Sequence, residues 1–430
     1  MADLTAHITN APREGLTHRL ATLSYGLLAF VIFAGTRPFQ GRHFQAVGME
    51  SQGSGKEALI YLVTTLACIG FCYGIKGIGL IQRSTMGLGL VLAYCTISVG
   101  WSDTQMTATV RLGQLVLVTV AVYAAMQALG FRYLIWVTYK ILIAILILDY
   151  VSVMLIPGAV HGVGEVDTYP NHIESWKGVH IHKNYAGPVV AALCVVAAAF
   201  ALNGRKWHLV VLALSTVFLL KTNSSASLIA AVVAVSGLVV IKGLARATGR
   251  AVTAYLVVLF LCMVGLTTPF YMPKITAFFA DPYALTGRTE LWGALVQYIQ
   301  AYPWTGSGYG SFWRIGVQSP ILYLTEGWAA RTGQGHSGYL DTAAMLGVPG
   351  LAVVFAVFVL VPFALLLRGL TGYSRHYDLA LALMIFVWVH NTVETSLLSP
   401  NHPVYLVALI GLCGVYQLRN RPPEEEVRDG

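Results

Sequence analysis

Long apolar runs, rather than strict alternation, dominate the pattern along this chain. They recur at about 20–36, 57–75, 85–101, 112–130, 134–157, 185–202, 207–220, 226–241, 251–270, 349–367, 378–398 and 403–418. A helix needs about 20 apolar residues to cross the hydrocarbon core of a bilayer. The pattern therefore predicts an all-α polytopic membrane protein with about twelve transmembrane helices. The runs at 207–220 and 403–418 are short. Two connections, 158–184 and 271–348, are longer than loops in compact structures usually are. The chain divides into nine helices over 1–270, a large loop over 271–348, three helices over 349–418 and a tail over 419–430. No solenoid repeat and no inverted repeat of broken helices is visible.

Composition makes lipid part of the solvent. Hydrophobic residues make up 56% of the chain and charged ones only 11%, whereas soluble domains carry about a quarter charged residues. The basic residues also set the orientation. Fifteen of the 27 gather on one side: Arg13, Arg19, Lys76, Arg83, Arg132, Arg205, Lys206, Lys242, Arg246, Arg250, Arg368, Arg375, Arg419, Arg421 and Arg428. Short loops rich in Lys and Arg face the cytoplasm. Both termini are then cytoplasmic, and both long loops lie on the opposite side. The net charge of +8 thus speaks for topology and not for nucleic acid. All six cysteines fall in apolar runs, so no disulfide framework is implied; Cys68 and Cys72 read as packing residues of one helix face. The first run is long enough for a permanent span rather than a signal peptide. The Pro422–Glu426 tail reads as a solvated, disordered end.

Candidate chemistry gathers in the two long outer loops. The larger one carries Trp292, Trp304, Trp313 and Trp328, and a segment so rich in aromatics folds or lies in the membrane interface. Thr286 or Gly287 can cap a helix in which Leu291, Trp292, Leu295, Val296 and Ile299 share a face. That helix is expected to lie along the membrane surface. Arg288 sits in its first turn, where a cation opposes the helix dipole unless an anion binds there. The same Arg also suits snorkelling to lipid headgroups. Alternate glycines in Pro303-Trp304-Thr305-Gly306-Ser307-Gly308-Tyr309-Gly310 permit close approach to a ligand or tight turns, without the Lys-Ser/Thr of a phosphate loop. Arg314 and Arg331 follow as further candidate phosphate or sugar contacts.

Gly333-Gln334-Gly335-His336-Ser337-Gly338-Tyr339-Leu340-Asp341 opens a second helical stretch. His336 there can accept a proton from a sugar hydroxyl or hold a diphosphate, or simply bond to backbone. The smaller loop ends His180-Ile181-His182-Lys183-Asn184. With Glu165, Asp167, His172 and Glu174 it contains metal-ligand types, but the spacing is irregular and no HExxH-like pair exists. Lys221 heads a polar join between two apolar runs. His390 and Glu394 lie one turn apart in the penultimate span, where an ionisable group marks function by default and the two can pair.

These motifs together resemble the signature region of the O-antigen ligase and polymerase superfamily. The resemblance runs from His182-Lys183-Asn184 through Gly287-Arg288, Trp304-x-Gly-x-Gly, Gly335-His336-Ser337-Gly338-Tyr339-Leu340 and Leu346-Gly347-x-Pro349-Gly350 to Asn391-x-x-Glu394. It implies a GT-C-like glycosyltransferase that needs no metal and no cofactor. Such an enzyme moves a glycan from undecaprenyl diphosphate to a glycan or lipid A–core acceptor, on the periplasmic face of the bacterial inner membrane. Chain-length regulators and flippases are the protein partners such a setting offers. By the same resemblance Arg288 holds the diphosphate and His336 acts at the acceptor hydroxyl or diphosphate. Lys183, Asn184, His182, Lys221, Arg314, Arg331 and Glu394 line the substrate. Members often carry an Arg where this chain has Lys221–Ser225; Lys221 is the replacement expected here. That departure, with His182-Lys183-Asn184, tilts the expectation toward an exopolysaccharide polymerase over a ligase. The rival of another class is a flippase or transporter, which needs charges at mid-membrane.

Overall fold

Every predicted apolar run falls on a helix in the computed structural model, which describes residues 15–37, 39, 55–76, 83–162, 174–204, 206–280, 288–369 and 375–419. In chain order the helices are α1 (Leu16–Ala34), α2 (Gly55–Lys76), α3 (Arg83–Ser98), α4 (Gln105–Leu129), α5 (Phe131–Leu155), α6 (Lys183–Ala201), α7 (His208–Lys221) and α8 (Ser225–Thr248). There follow α9 (Arg250–Ala280), α10 (Arg288–Ala301), α11 (Gly327–Arg331), α12 (Gly338–Phe355), α13 (Val361–Gly369), α14 (Arg375–Val393) and α15 (Pro403–Arg419). Among the described residues there is no strand beyond one isolated bridge, Val160 with Trp176. Among the described residues seven helical stretches are long and apolar enough to cross a membrane: Leu16–Ala34, Gly55–Ile75, Gln105–Leu129, Phe131–Leu155, Lys183–Ala201, Ser225–Thr248 and Gly338–Gly369. Met86–Trp101, His208–Lys221, Arg250–Val264, Tyr377–Val393 and Pro403–Gln417 are shorter apolar helices. The chain is a multi-pass, all-helical membrane protein.

Burial ranks these helices. α6 and α15 bury nearly every residue, as expected of helices that are apolar all round. α6 is rich in Ala and carries Gly187 near its start, and small residues let helices approach closely in lipid. A Cβ on Gly187 would lie 2.5 Å from Ser224, just before α8. The α4–α5 break shows how backbone groups are satisfied away from water. Gly130, at φ 76°, turns the chain. Gln417 of α15 then accepts from Phe131 N at 3.0 Å and donates to Met126 O at 2.9 Å. One side chain thereby serves two helix ends that lipid would leave orphaned.

Two boundaries differ from the hydropathy pattern. α9 continues to Ala280, past the expected loop start at 271, and α12 begins at Gly338, before the expected loop end at 348. Backbone hydrogen bonding does not stop where apolar residues thin out. At 31 residues α9 is about 46 Å long, longer than a bilayer core of about 30 Å. The connection before α12 is thus 281–337.

Residues 288–337 form a cap that shares a core with α12. Leu291, Ala294 and Leu295 of α10 bury against Phe312, Trp313, Ile321, Ala329 and Ala344. The expected surface helix is therefore covered by protein on its apolar face; Val296, expected on that face, is 41% exposed. Arg111 of α4 clips the cap from below, donating to the carbonyls of Gly310, Trp313 and Arg314.

Candidate active site

α14 ends at Val393, and the next residue, Glu394, carries a buried carboxylate just beyond the helix. It gathers groups from two other segments. Arg288, the first residue of α10, donates to Glu394 Oε1 at 2.5 Å and to Val393 O at 2.6 Å. His336 Nδ1 lies 2.8 Å from Glu394 Oε2, and Gln334 Nε2 lies 3.5 Å from the same oxygen. Burial alone would raise the Glu394 carboxyl. The His336 imidazole beside it, then Arg288 and His390, more than offset this and hold it well below the usual carboxylate range. The expected His390–Glu394 pair does not form. Glu394 is engaged by Arg288, His336 and Gln334 from two other segments, and both ring nitrogens of the fully buried His390 have no hydrogen-bond partner among the described residues.

His336 is held by its backbone as well as by its ring. It sits at φ 49°, a conformation uncommon outside glycine. Trp328 of α11 stacks on the imidazole, with centroids 6.2 Å apart and planes 18° apart. The glycines on either side allow this packing. A Cβ on Gly335 would fall 2.3 Å from Asp341 Oδ1, and one on Gly338 would fall 2.2 Å from Asn391 Oδ1. Asp341 is fully buried and accepts from Gly335 N, from Trp313 Nε1 at 3.0 Å and from Thr395 Oγ1. Asn391 Oδ1 accepts from Ser396 N and Leu397 N, and Gly338 N donates to Glu394 O at 3.1 Å. The His336 segment and the end of α14 are thus bonded into one unit.

The shorter of the two long loops supplies one further cation. Lys183 opens α6, is buried, and donates to Asn223 O at 3.0 Å. His182 is the cap of that helix, accepting from Asn184 N at 3.1 Å, and His161 Nε2 accepts from Lys183 N. Asn184 follows half-buried. His180 faces Asp149, whose other oxygen accepts from Val179 N. Glu165, Asp167, His172, Thr286 and Gly287, named above as ligand or cap candidates, lie outside the described residues, as does the Pro422–Glu426 tail.

Other expected contacts lie elsewhere. The Lys221 ammonium sits 5.8 Å from the centroid of the Trp176 ring, an arrangement that attracts a cation to a ring face. Arg331 is exposed on the cap and donates to Gly327 O at 3.0 Å, one turn back in its own helix. Arg314 is exposed, with its guanidinium packed over Gly333. The structure brings Arg288, His336 and Glu394 into direct contact and sets Lys183 within electrostatic reach of Arg288 and Glu394.

The alternate glycines of the Trp304 segment meet backbone. Gly306 and Gly308, both at positive φ, would drive a Cβ to 2.6 Å from Ala344 O and 2.7 Å from Ser98 O. Ser307 N and Gly308 N donate to Ala344 O and Met345 O, and Val348 N donates to Pro303 O. α12 breaks at Gly347, at φ 69°. The loop takes up the polar groups which that break exposes.

Several residues of the site carry little sequence signal. Asp341 stands out only as a lone carboxylate in an apolar stretch. Trp328 reads as one of several loop aromatics. His402, tilted against His390 at 5.8 Å, has no motif around it. Burial, and then the neighbouring His390, push its pKa down to about 3 against a weaker opposing pull from Glu394, so it stays neutral at physiological pH.

Comparison with known proteins fits this geometry. No curated protein matches the chain. The family model described as O-antigen ligase matches residues 208–355, a stretch that contains Arg288 and His336 and stops short of Lys183 and Glu394. Over those residues the chain is similar to the family described as O-antigen ligase, and its similarity to the O-antigen ligase and polymerase superfamily rests on that match.

Proposed function

We propose that this protein is a polysaccharide polymerase of the bacterial inner membrane. It crosses the bilayer about twelve times in a GT-C-like arrangement, with both termini in the cytoplasm and the Glu394 site in the periplasm. The observation that carries the reading is the joining of Arg288, Glu394 and His336 from two sides of one buried carboxylate. With its Nδ1–H donated to Glu394, a neutral His336 keeps the lone pair of Nε2 for a proton. The donor is a growing glycan on undecaprenyl diphosphate, and the acceptor is a hydroxyl of the next lipid-linked repeat unit. The hydroxyl oxygen bonds to the donor's anomeric carbon as the bond from that carbon to the diphosphate oxygen breaks. The electron pair leaves on the diphosphate, and the hydroxyl proton passes to His336 Nε2. Among the described residues Arg288 uses two of its five N–H donors, on Val393 and Glu394; further donors can serve the leaving diphosphate. Glu394 orients both groups, offsets the charge of Arg288 and stabilises the imidazolium formed once His336 takes the proton. None of these steps calls for a metal ion.

A second reading has a specific observation behind it, since the matching family is described as O-antigen ligase. A ligase would use the same donor chemistry and pass the glycan to lipid A–core. A deletion strain separates the two. Loss of a polymerase leaves single repeat units on carrier lipid or core, whereas loss of a ligase leaves long chains unattached. Transfer by the purified protein with a lipid-diphosphate donor, with and without chelator, tests the reaction itself. Absence of product would sink it, and abolition by chelator would sink metal independence.

A further inference from the structure

Asp341 is a buried carboxylate whose donors come from three separate stretches of chain. It is 1% exposed and sits in the first turn of α12. Gly335 N donates to both of its oxygens, at 3.0 and 2.9 Å. Trp313 Nε1 donates to Oδ1 at 3.0 Å, and Thr395 Oγ1 donates to Oδ2. Two of these donors flank the reacting pair: Gly335 immediately precedes His336, and Thr395 immediately follows Glu394. The third belongs to the cap, and the Trp313 carbonyl accepts from Arg111 of α4 at 2.8 Å. One side chain thus fixes the backbone beside each partner of the 2.8 Å contact between His336 and Glu394, and ties both to the cap's anchor on α4. His336 depends on such support, because its φ of 49° is a conformation that persists only where the surroundings impose it. An ionisable group in an apolar helix is costly, and a residue of similar size without charge would serve packing alone.

We propose that Asp341 is a positioning residue of the reaction, which holds His336 and Glu394 in register without touching substrate. The assignment goes beyond the proposed reaction and rests on it. Asp341 acts only through the residues it bonds, since its oxygens are occupied by Gly335, Trp313 and Thr395. Hydrogen bonding, rather than charge, is what the position supplies. An Asn amide can reproduce most of it: its oxygen accepts from Gly335 N and Trp313 Nε1, and its NH2 donates to the Thr395 hydroxyl. An Ala at the same place leaves all three donors without their acceptor, and nothing then sets the spacing of the two segments.

Transfer by the full-length protein in proteoliposomes, with a lipid-diphosphate glycan donor, gives kcat and KM separately. Asp341→Ala should lower kcat by on the order of 10²-fold, as a displacement of about 1 Å at a reacting group does. The donor KM should change by less than about threefold. Asp341→Asn should recover kcat to within about tenfold of the wild type. In a His336→Ala background, Asp341→Ala should add less than about threefold, because no imidazole remains to be positioned. Thr395→Val removes one donor at nearly constant volume; it carries the same test, at about tenfold in kcat, should Asp341→Ala fold poorly. Equal slowing of the wild type and of His336→Ala by the Asp341 or the Thr395 change would overturn this assignment alone, since a carboxylate that only stabilises the fold acts on both. Asp341→Asn as slow as Asp341→Ala would also overturn it. No transfer by the wild type would overturn the proposed reaction and this assignment with it.

Discussion

Two glycine-rich segments of the cap look alike in sequence and do different things. In Pro303–Gly310, glycine spares collisions with backbone carbonyls of Ala344 and Ser98, and the segment stitches the cap to the broken helix α12. In Gly333–Gly338, glycine spares collisions with the Asp341 and Asn391 side chains, and the segment presses His336 onto Glu394. The first is a scaffold and the second assembles chemistry. Glycine spacing reports close approach in both cases; only the identity of the neighbouring atoms tells which kind it is.

That contrast can be tested by substitutions of graded effect. Replacing His336 with Ala removes the proton acceptor and should slow transfer by about 10²–10⁴-fold, read as product per minute from purified protein of unchanged melting temperature. Arg288→Lys loses the planar fork that spans Val393 and Glu394; a fall in kcat/KM of on the order of 10–100-fold should follow, with donor binding weakened as well. Gly338→Ala pushes on Asn391, and through it on the residues around Glu394. A displacement of about 1 Å there should cost up to about 10²-fold in rate. Gly306→Ala should do the reverse. It strains a turn at φ 59° and should destabilise the fold by about 1–3 kcal/mol, while each folded molecule keeps its turnover. Equal effects of the two glycine variants on turnover would erase the distinction drawn between the segments.

The smallest expected effect is in pH dependence. The Glu394 carboxyl is depressed in the fold, so its contribution to stability is present above the usual carboxylate value of 4.5 and is lost only as pH falls through its lower folded value. His402 adds to the same slope. Its pKa falls from 6.5 to about 3 on folding, so the unfolded chain binds more protons in that window and stability should decline as pH drops through it. A His402→Gln variant should flatten the melting-temperature profile between those limits, without moving activity at neutral pH by more than about twofold.

Much of this was visible in the chain before its structure, and the gaps have physical causes. Helix positions were legible because lipid demands long apolar runs. Arg288 and His336 stood out as polar groups in glycine-bounded positions, and Glu394 as an ionisable residue at a span's end. The partner of Glu394 was not legible. Sequence spacing sees only the residue one turn away, His390, whereas the groups that engage the carboxylate come from α10 and the cap. Asp341 was hidden for a similar reason, its partners Trp313, Gly335 and Thr395 lying in separate stretches. The Trp176 face beside the Lys221 ammonium is likewise invisible to sequence spacing. Most of the apolar face of α10 is legible, Val296 excepted, but periodicity cannot say whether lipid or protein covers it.

The central claim is that His336 and Glu394 act as one device. A double-mutant cycle on transfer rate, with His336→Ala, Glu394→Gln and the pair, tests it most directly. If Glu394 works through His336, the double variant should be about as slow as His336→Ala alone, leaving a coupling of the order found between contacting residues of one network, about 0.5–3 kcal/mol or more. Losses that simply multiply would contradict the account, because the carboxylate would then act on the substrate independently of the imidazole it touches.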